Sequence, residues 1–180
     1  MPTLAEQIVE VHAALTSAGI PHAFGGALAL AYHAEPRATV DIDVNIWVPV
    51  QRAGEVVRAL PDGVAWSEDD IVVIERDGQV RLYWDRTPLD LFFPQHELHA
   101  EAAAAVERVP FGSAEIPVLS ATHLSVFKAL FNREKDWVDI GELLANGEVD
   151  ADQVERWLID IVGKDDERLT KWAARRESSR

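Results

Sequence analysis

Two aspartates stand one residue apart in a run of β-branched residues, at a spacing that suits metal ligands. Asp41 and Asp43 lie within residues 40–48, where β-branched residues alternate with other types. This alternation predicts a β-strand, in which residues two apart point to the same side. Two carboxylates on one side repel each other unless a divalent cation lies between them. Hard oxygen ligands of this kind favour Mg²⁺ or Mn²⁺. The alternative is the solvent-facing side of an edge strand.

A glycine pair precedes this strand. Gly25 and Gly26 follow a short predicted strand at residues 22–24 and open a predicted helix at residues 27–34. Glycines at a helix start let backbone N–H groups approach a phosphate, and the helix dipole favours the negative charge. A simple helix-entry turn is the alternative reading of the glycine pair by itself. The order of glycine turn, helix and strand with two aspartates favours a phosphate and metal site.

A third carboxylate interrupts a later apolar segment. Asp90 lies in PLDLFF, residues 88–93, which predicts a further strand. Three carboxylates on neighbouring strands can hold two metal ions about 4 Å apart, the arrangement used for in-line phosphoryl displacement. By itself this interrupting charge makes Asp90 a candidate functional residue.

Taken in order, these motifs resemble the signature of the nucleotidyltransferase superfamily that includes DNA polymerase β. Within it, they are most similar to the AbiEii/MenT-like branch of toxin nucleotidyltransferases. The resemblance covers roughly residues 20–145. It is carried by the glycine pair, by R-x-T-x-D-I-D-V from Arg37 to Val44, by the strand with Asp90, and by Lys128-Ala129-Leu130 with Arg133-Glu134-Lys135-Asp136-Trp137-Val138-Asp139.

The resemblance implies a role for each acidic residue and each glycine. Gly25 and Gly26 cradle the triphosphate of an NTP. Asp41, Asp43 and Asp90 bind Mg²⁺ or Mn²⁺ and form the catalytic set. Asp90 also helps to deprotonate an acceptor hydroxyl, which attacks the α-phosphate and expels pyrophosphate. Catalysis then consists of positioning and charge neutralisation, without a protein nucleophile.

The resemblance also implies contacts between basic residues and the triphosphate. Lys128 and Arg133 match the family's K…R-x-K-D segment, and Arg37 lies where related proteins place a basic residue beside the metal strand. Gly26 stands where many relatives have serine, so Thr39 is the candidate for a nearby hydroxyl. The alternative for the cations on the later helices is ordinary ion pairing along a helix surface.

The acids of that later segment receive a different interpretation. Asp136 and Asp139 lie among the cations that match the family's pattern. We interpret both aspartates as anchors for those cations or for helix packing, and not as catalytic residues.

The remaining segments predict an α+β protein. The resemblance implies a nucleotidyltransferase-type mixed sheet with flanking helices, and the pattern after Ser120 is helical to the end of the sequence. We therefore predict a catalytic core at residues 1–117 and a helical C-terminal subdomain at residues 118–180. Residues 71–85 contain two alternating runs around an Asp-Gly pair, which predicts a β-hairpin.

Composition excludes several classes of protein. The chain of 180 residues has no cysteine, which excludes disulfides, thiolate catalysis and zinc–thiolate sites. Its formal net charge of −14 argues against a large surface that binds duplex nucleic acid. It has neither a transmembrane run nor the pattern of a secretory signal, so we expect a cytoplasmic protein that does not bind a membrane.

These features predict a Mg²⁺-dependent nucleotidyltransferase that joins a nucleotide from an NTP to an acceptor hydroxyl. Relatives in the toxin branch modify the 3′ end of tRNA, so the first expected acceptor is tRNA, with a cognate antitoxin protein as a partner. The net charge of −14 weakens that expectation. The alternatives are a small hydroxylated acceptor, as in aminoglycoside nucleotidyltransferases, and a non-catalytic interaction protein or antitoxin with the same fold.

Overall fold

A mixed sheet carries Asp43 and Asp90, two of the three aspartates that the sequence predicts to bind metal. The computed structural model describes residues 2–179. Within them the strands are β1 (His22–Phe24), β2 (Ile42–Ile46), β3 (Val64–Ala65), β4 (Gln79–Trp84), β5 (Thr87–Phe92), β6 (Glu107–Phe111) and β7 (Ala114–Val118). They join in the order β3-β4-β5-β2-β1-β7-β6, which places β2 at the centre.

The pairing of β2 tests the alternative that Asp41 and Asp43 belong to an edge strand. This strand runs antiparallel to β1 and parallel to β5, so both of its edges are occupied. Four apolar side chains of these two strands, Ile42, Val44, Leu89 and Leu91, are at most 1% exposed. The alternative of a solvent-facing edge strand is therefore wrong.

Helices flank the sheet and form the C-terminal part of the chain. They are α1 (Leu4–Ser17), α2 (Gly26–His33), α3 (Ala53–Ala59), α4 (Glu68–Asp77), α5 (Leu98–Ala104), α6 (Ala121–Phe131), α7 (Glu134–Ala145), α8 (Ala151–Val162) and α9 (Glu167–Ser178). The predicted α+β fold is confirmed. No helix among the described residues has the length and apolar character that crossing a membrane requires.

The hairpin predicted at residues 71–85 is wrong. A capping box between Ser67 and Asp70 begins α4, and Gly78 ends it in the left-handed conformation, with φ of +68°. An Asp-Gly pair suits a helix C-terminus as well as a tight turn, because both need a residue with positive φ. The actual hairpin joins β4 to β5, with Asp85 at its turn in a left-handed conformation.

The chain divides into two compact units. The first comprises the residues up to Leu28 together with Ala38–Val118, and it contains the whole sheet. The second comprises Ala29–Arg37 and the residues from Leu119 onward. Its core is formed by buried side chains of α6–α9, including Leu124, Ile140, Leu158 and Trp172. The catalytic and helical domains defined from the sequence, 1–117 and 118–180, stay a prediction.

Candidate active site

Neighbouring strands of the first unit place polar residues in one row across the sheet. Asp43 on β2 is in register with Asp90 on β5, and Asp90 is in register with Arg81 on β4. On the other side of β2, the N–H of Gly25 donates to the carbonyl oxygen of Asp43 at 2.9 Å. Residues in register on adjacent strands share a face of the sheet. The side chains of Arg81, Asp90 and Asp43 therefore lie side by side.

Asp41 is held in a different way, because β2 begins one residue after it. The Thr39 hydroxyl donates to a carboxylate oxygen of Asp41 and accepts from the Asp41 N–H at 3.4 Å. Such a local side-chain contact fixes the backbone before the strand starts. The strand is thus shorter than the predicted residues 40–48, and Val40 is 76% exposed. The phosphate-binding role of Thr39 stays a prediction.

Gly26 lies directly against the carboxylate of Asp43. Its φ is +53°, and a Cβ built on its backbone would be 1.8 Å from Oδ2 and 2.6 Å from Cγ of Asp43. A side chain at this position is excluded on both counts, since L-residues rarely adopt positive φ. The position of Asp43 therefore explains why the loop has glycine where the resemblance leads one to expect serine. It also puts the start of α2 beside the predicted metal ligand.

The close approach of Gly26 to Asp43 has a measurable consequence. We expect Gly26→Ala to lower the free energy of unfolding by about 2 kcal/mol or more, from positive-φ strain plus steric overlap. Gly112→Ala is the matched control, because Gly112 has φ of +59° and no heavy atom within 4 Å of its Cβ position. Urea unfolding should show a clearly larger loss for Gly26→Ala. Equal losses would mean that Asp43 does not crowd position 26.

Arg81 forms a two-pronged ion pair with Asp90. Its Nε donates to Oδ1 at 2.7 Å and its Nη2 donates to Oδ2 at 2.6 Å. The Asp90 side chain is 12% exposed, whereas that of Arg81 is 51% exposed. Hydrogen bonding to Asp90, together with its charge, raises the pKa of Arg81, and the negative charge of Asp41 adds to this. Bidentate guanidinium–carboxylate pairs are among the stronger side-chain contacts.

The sequence did not identify Arg81 as a site residue, because it predicted the hairpin turn at Asp77-Gly78 and the turn lies at Asp85. A hairpin that turns at Asp85 puts Arg81 directly opposite Asp90. The alternating sequence from Gln79 to Trp84 was the available signal, since it predicts a strand whichever end carries the turn.

The donor set of this row fits a divalent cation chemically. Asp43 and Asp90 are adjacent carboxylates, and hard oxygen ligands are the ones that Mg²⁺ and Mn²⁺ prefer. Both oxygens of Asp90 are occupied by Arg81, however. Among residues 2–179, no three histidine, aspartate or glutamate side chains are disposed to hold a metal ion. The three-aspartate metal site stays a prediction.

The second unit brings Arg37 and Lys128 together around one aspartate. Lys128 on α6 is 4% exposed, and its Nζ donates to Oδ2 of Asp139 at 2.6 Å. Arg37 donates to the same oxygen at 2.8 Å and remains 40% exposed. Asp136 approaches Lys128 at 3.8 Å. Lys128 is thus a buried partner of two carboxylates, and surface ion pairing is the wrong interpretation for it.

Arg133 belongs to the same cluster through Asp136. Its Nε and Nη2 donate to the two oxygens of Asp136 at 2.7 and 3.1 Å. Asp136 is fully buried, and it also accepts from the Arg133 N–H at 3.2 Å at the start of α7. The guanidinium is 54% exposed and lies 5.0 Å from the centre of the Phe131 ring. The interpretation of Asp136 and Asp139 as anchors for cations is confirmed.

Comparison with known proteins bears on the fold. No family model matches the sequence, and no curated protein sequence matches it significantly. The solution structure of the antibiotic-resistance factor ANT(2'')-Ia is similar, with a TM-score of 0.58 and 15% identity over 97% of this chain and 93% of that one. Its crystal structure in complex with adenylyl-2''-tobramycin gives a TM-score of 0.58 and 16% identity over 99% and 100% of the two chains.

A third structure agrees with these two. It is an antigenic nucleotidyltransferase-like protein from Paracoccidioides brasiliensis, with a TM-score of 0.53 and 16% identity over 93% of this chain and 92% of that one. Likeness at this level of identity concerns the course of the backbone, and it spans almost the whole of each molecule. The mixed sheet, its flanking helices and the helical C-terminal part thus form a nucleotidyltransferase fold.

Proposed function

We propose that the protein is a metal-dependent nucleotidyltransferase that transfers a nucleotide from an NTP to an acceptor hydroxyl and releases pyrophosphate. The observation that carries this proposal is the row of Asp43 and Asp90 beside the Gly25-Gly26 turn, on the central strands of a nucleotidyltransferase fold. Two carboxylates in register on adjacent strands repel each other, and a divalent cation bound between them would relieve that repulsion. Their position beside a glycine turn therefore supports a combined phosphate and metal site.

Each part of the row has a task in this reaction. Asp43 and Asp90 would hold Mg²⁺ or Mn²⁺. Asp41, whose carboxylate accepts a hydrogen bond from the Thr39 hydroxyl, would contribute to the same metal site. The bound cation supplies charge neutralisation and polarisation at the phosphates. An oxygen of Asp90 accepts the proton of the acceptor hydroxyl. That hydroxyl oxygen forms the new bond to the α-phosphorus as the bond to pyrophosphate breaks.

The resemblance implies phosphate contacts for the glycine turn and, separately, for cations of the second unit. The turn at Gly25 and Gly26 allows close approach of a phosphate to backbone N–H groups. We assign phosphate contacts to Arg37 and Arg133, since their guanidinium groups are half exposed and positively charged. The resemblance implies the same contact for Lys128, and we propose in addition that this buried lysine holds Asp139 in place.

Two acceptor classes follow from different observations. The similarity to ANT(2'')-Ia, whose crystal structure contains adenylyl-2''-tobramycin, supports a small hydroxylated acceptor. The motif order supports the AbiEii/MenT-like branch, and with it the tRNA 3′ end, a toxin role in the cytoplasm and a cognate antitoxin. The net charge of −14 favours the small acceptor, because tRNA binding benefits from positive charge.

A transfer assay tests the proposal and separates the two acceptors. The protein is incubated with each α-labelled NTP and Mg²⁺ or Mn²⁺, in one series with total tRNA and in another with a panel of aminoglycosides. We expect pyrophosphate release and one acceptor whose mass increases by a single nucleotide. Absence of pyrophosphate and of labelled acceptor with either metal would contradict the enzyme proposal and favour a non-catalytic interaction protein.

A further inference from the structure

Arg81 is paired with both carboxylate oxygens of Asp90, which the proposed function assigns to metal binding. We propose that Arg81 is an internal counter-cation of Asp90, which holds this carboxylate in the metal-free protein and competes with a divalent cation for it. The inference rests on the proposed function in one respect, the assignment of Asp90 as a metal ligand.

The geometry supports competition because no oxygen of Asp90 is left without a cationic partner. Oδ1 lies 2.7 Å from Nε of Arg81 and Oδ2 lies 2.6 Å from its Nη2. A metal ion that binds either oxygen brings two positive charges next to the guanidinium. Repulsion between the two cations then weakens the bidentate pair.

The burial of Asp90 explains why such a partner is needed. The side chain is 12% exposed, and its neighbour in register is the carboxylate of Asp43. A carboxylate in this setting is poorly hydrated and experiences like-charge repulsion, so without metal the ionised form requires a nearby cation. Arg81 meets that requirement from the adjacent strand.

The guanidinium group of Arg81 is also able to move away from Asp90. Its side chain is 51% exposed, and it lies on the part of β4 beyond the two residues that pair with β3, Tyr83 and Trp84. Movement of the guanidinium into solvent breaks no backbone pairing and opens no cavity in the core. Arg81 thus acts as a positioning residue through Asp90, and contact with the reacting atoms is not required of it.

Measurement of Mn²⁺ affinity tests this inference without any turnover. Mn²⁺ alone is titrated into the wild-type chain and into Arg81→Gln, with detection by electron paramagnetic resonance. We expect Arg81→Gln to bind Mn²⁺ about tenfold more tightly, because the competing charge is gone. Its melting temperature should fall below that of the wild type without metal and recover more strongly when Mn²⁺ is added.

Two further variants sharpen the result. Arg86→Gln removes the same charge from an exposed position at the turn of the same hairpin, and we expect no more than a twofold change in Mn²⁺ affinity. Arg81→Lys keeps the charge but loses the two-pronged geometry, and we expect an affinity between those of the wild type and Arg81→Gln. This second substitution preserves the test if Arg81→Gln does not fold.

The outcomes separate the inference from the proposed function. Tighter binding by the Arg81 variants alone supports competition, even if the wild type binds weakly. Wild-type binding that Asp43→Asn abolishes and the Arg81 variants leave unchanged or weaken overturns the inference and leaves the metal assignment intact. No Mn²⁺ binding by any of these proteins overturns both.

Discussion

If the proposed function is right, Asp43→Asn is expected to reduce nucleotide transfer about a hundredfold to a thousandfold, the range for removal of one preorganised group that stabilises a transition state. Asp43 lies between the glycine turn, which is predicted to bind phosphate, and Asp90, the other predicted metal ligand on the sheet. An amide nitrogen is a poor ligand for Mg²⁺ and brings no negative charge. The measurement is kcat/KM for pyrophosphate release.

Stability distinguishes this loss from unfolding. Removal of one of two adjacent carboxylates relieves repulsion, so the melting temperature of Asp43→Asn should equal or exceed that of the wild type. Asp62→Asn makes the same chemical change at an exposed turn residue and should leave transfer unaltered. Full activity of Asp43→Asn would refute the metal assignment, and a large drop in melting temperature would show that Asp43 is structural.

Asp139→Asn is expected to destabilise the protein by about 3–5 kcal/mol, because it leaves a buried ammonium group without its main partner. Asp139 is 3% exposed and accepts from both Lys128 and Arg37. After the substitution, the remaining carboxylate near Lys128 is that of Asp136, at 3.8 Å. Urea unfolding of the purified variant measures the loss.

Lys128→Met provides the matched comparison for this buried cluster. Each aspartate keeps a cation when Lys128 is removed, since Arg37 remains on Asp139 and Arg133 remains on Asp136. The loss should therefore be clearly smaller than for Asp139→Asn. Equal losses of unfolding free energy in the two variants would contradict this account, in which Asp139 keeps a second cation but Lys128 is left with the more distant carboxylate of Asp136.

The sequence predicted the strands of Asp43 and Asp90 and the glycine turn, because the signals for these elements are local. The alternation around Asp41 and Asp43 identifies a strand, and the glycine pair identifies the turn into α2. Motif order added the α+β fold with a helical C-terminal part. The position of β2 at the centre of the sheet could not be predicted in the same way, since it depends on pairing with a strand many residues away.

The errors have the same physical origin. An Asp-Gly pair satisfies a helix end and a hairpin turn equally, so only tertiary pairing decides which one forms at Gly78. Arg81 was missed because its partner is set by strand register. The burial of Lys128 depends on the packing of α6 against α7, which no property of its own helix reveals.

The contact between Gly26 and Asp43 limits how this chain can be re-engineered. The two positions form one steric unit, so a larger side chain at either position requires a change at the other. Introducing the serine that the resemblance leads one to expect at position 26 would require a shorter or differently placed side chain at position 43. Libraries that alter the predicted phosphate-binding loop should therefore vary the two positions jointly, and transplanting the loop from a serine-bearing homologue would have to include the neighbouring strand.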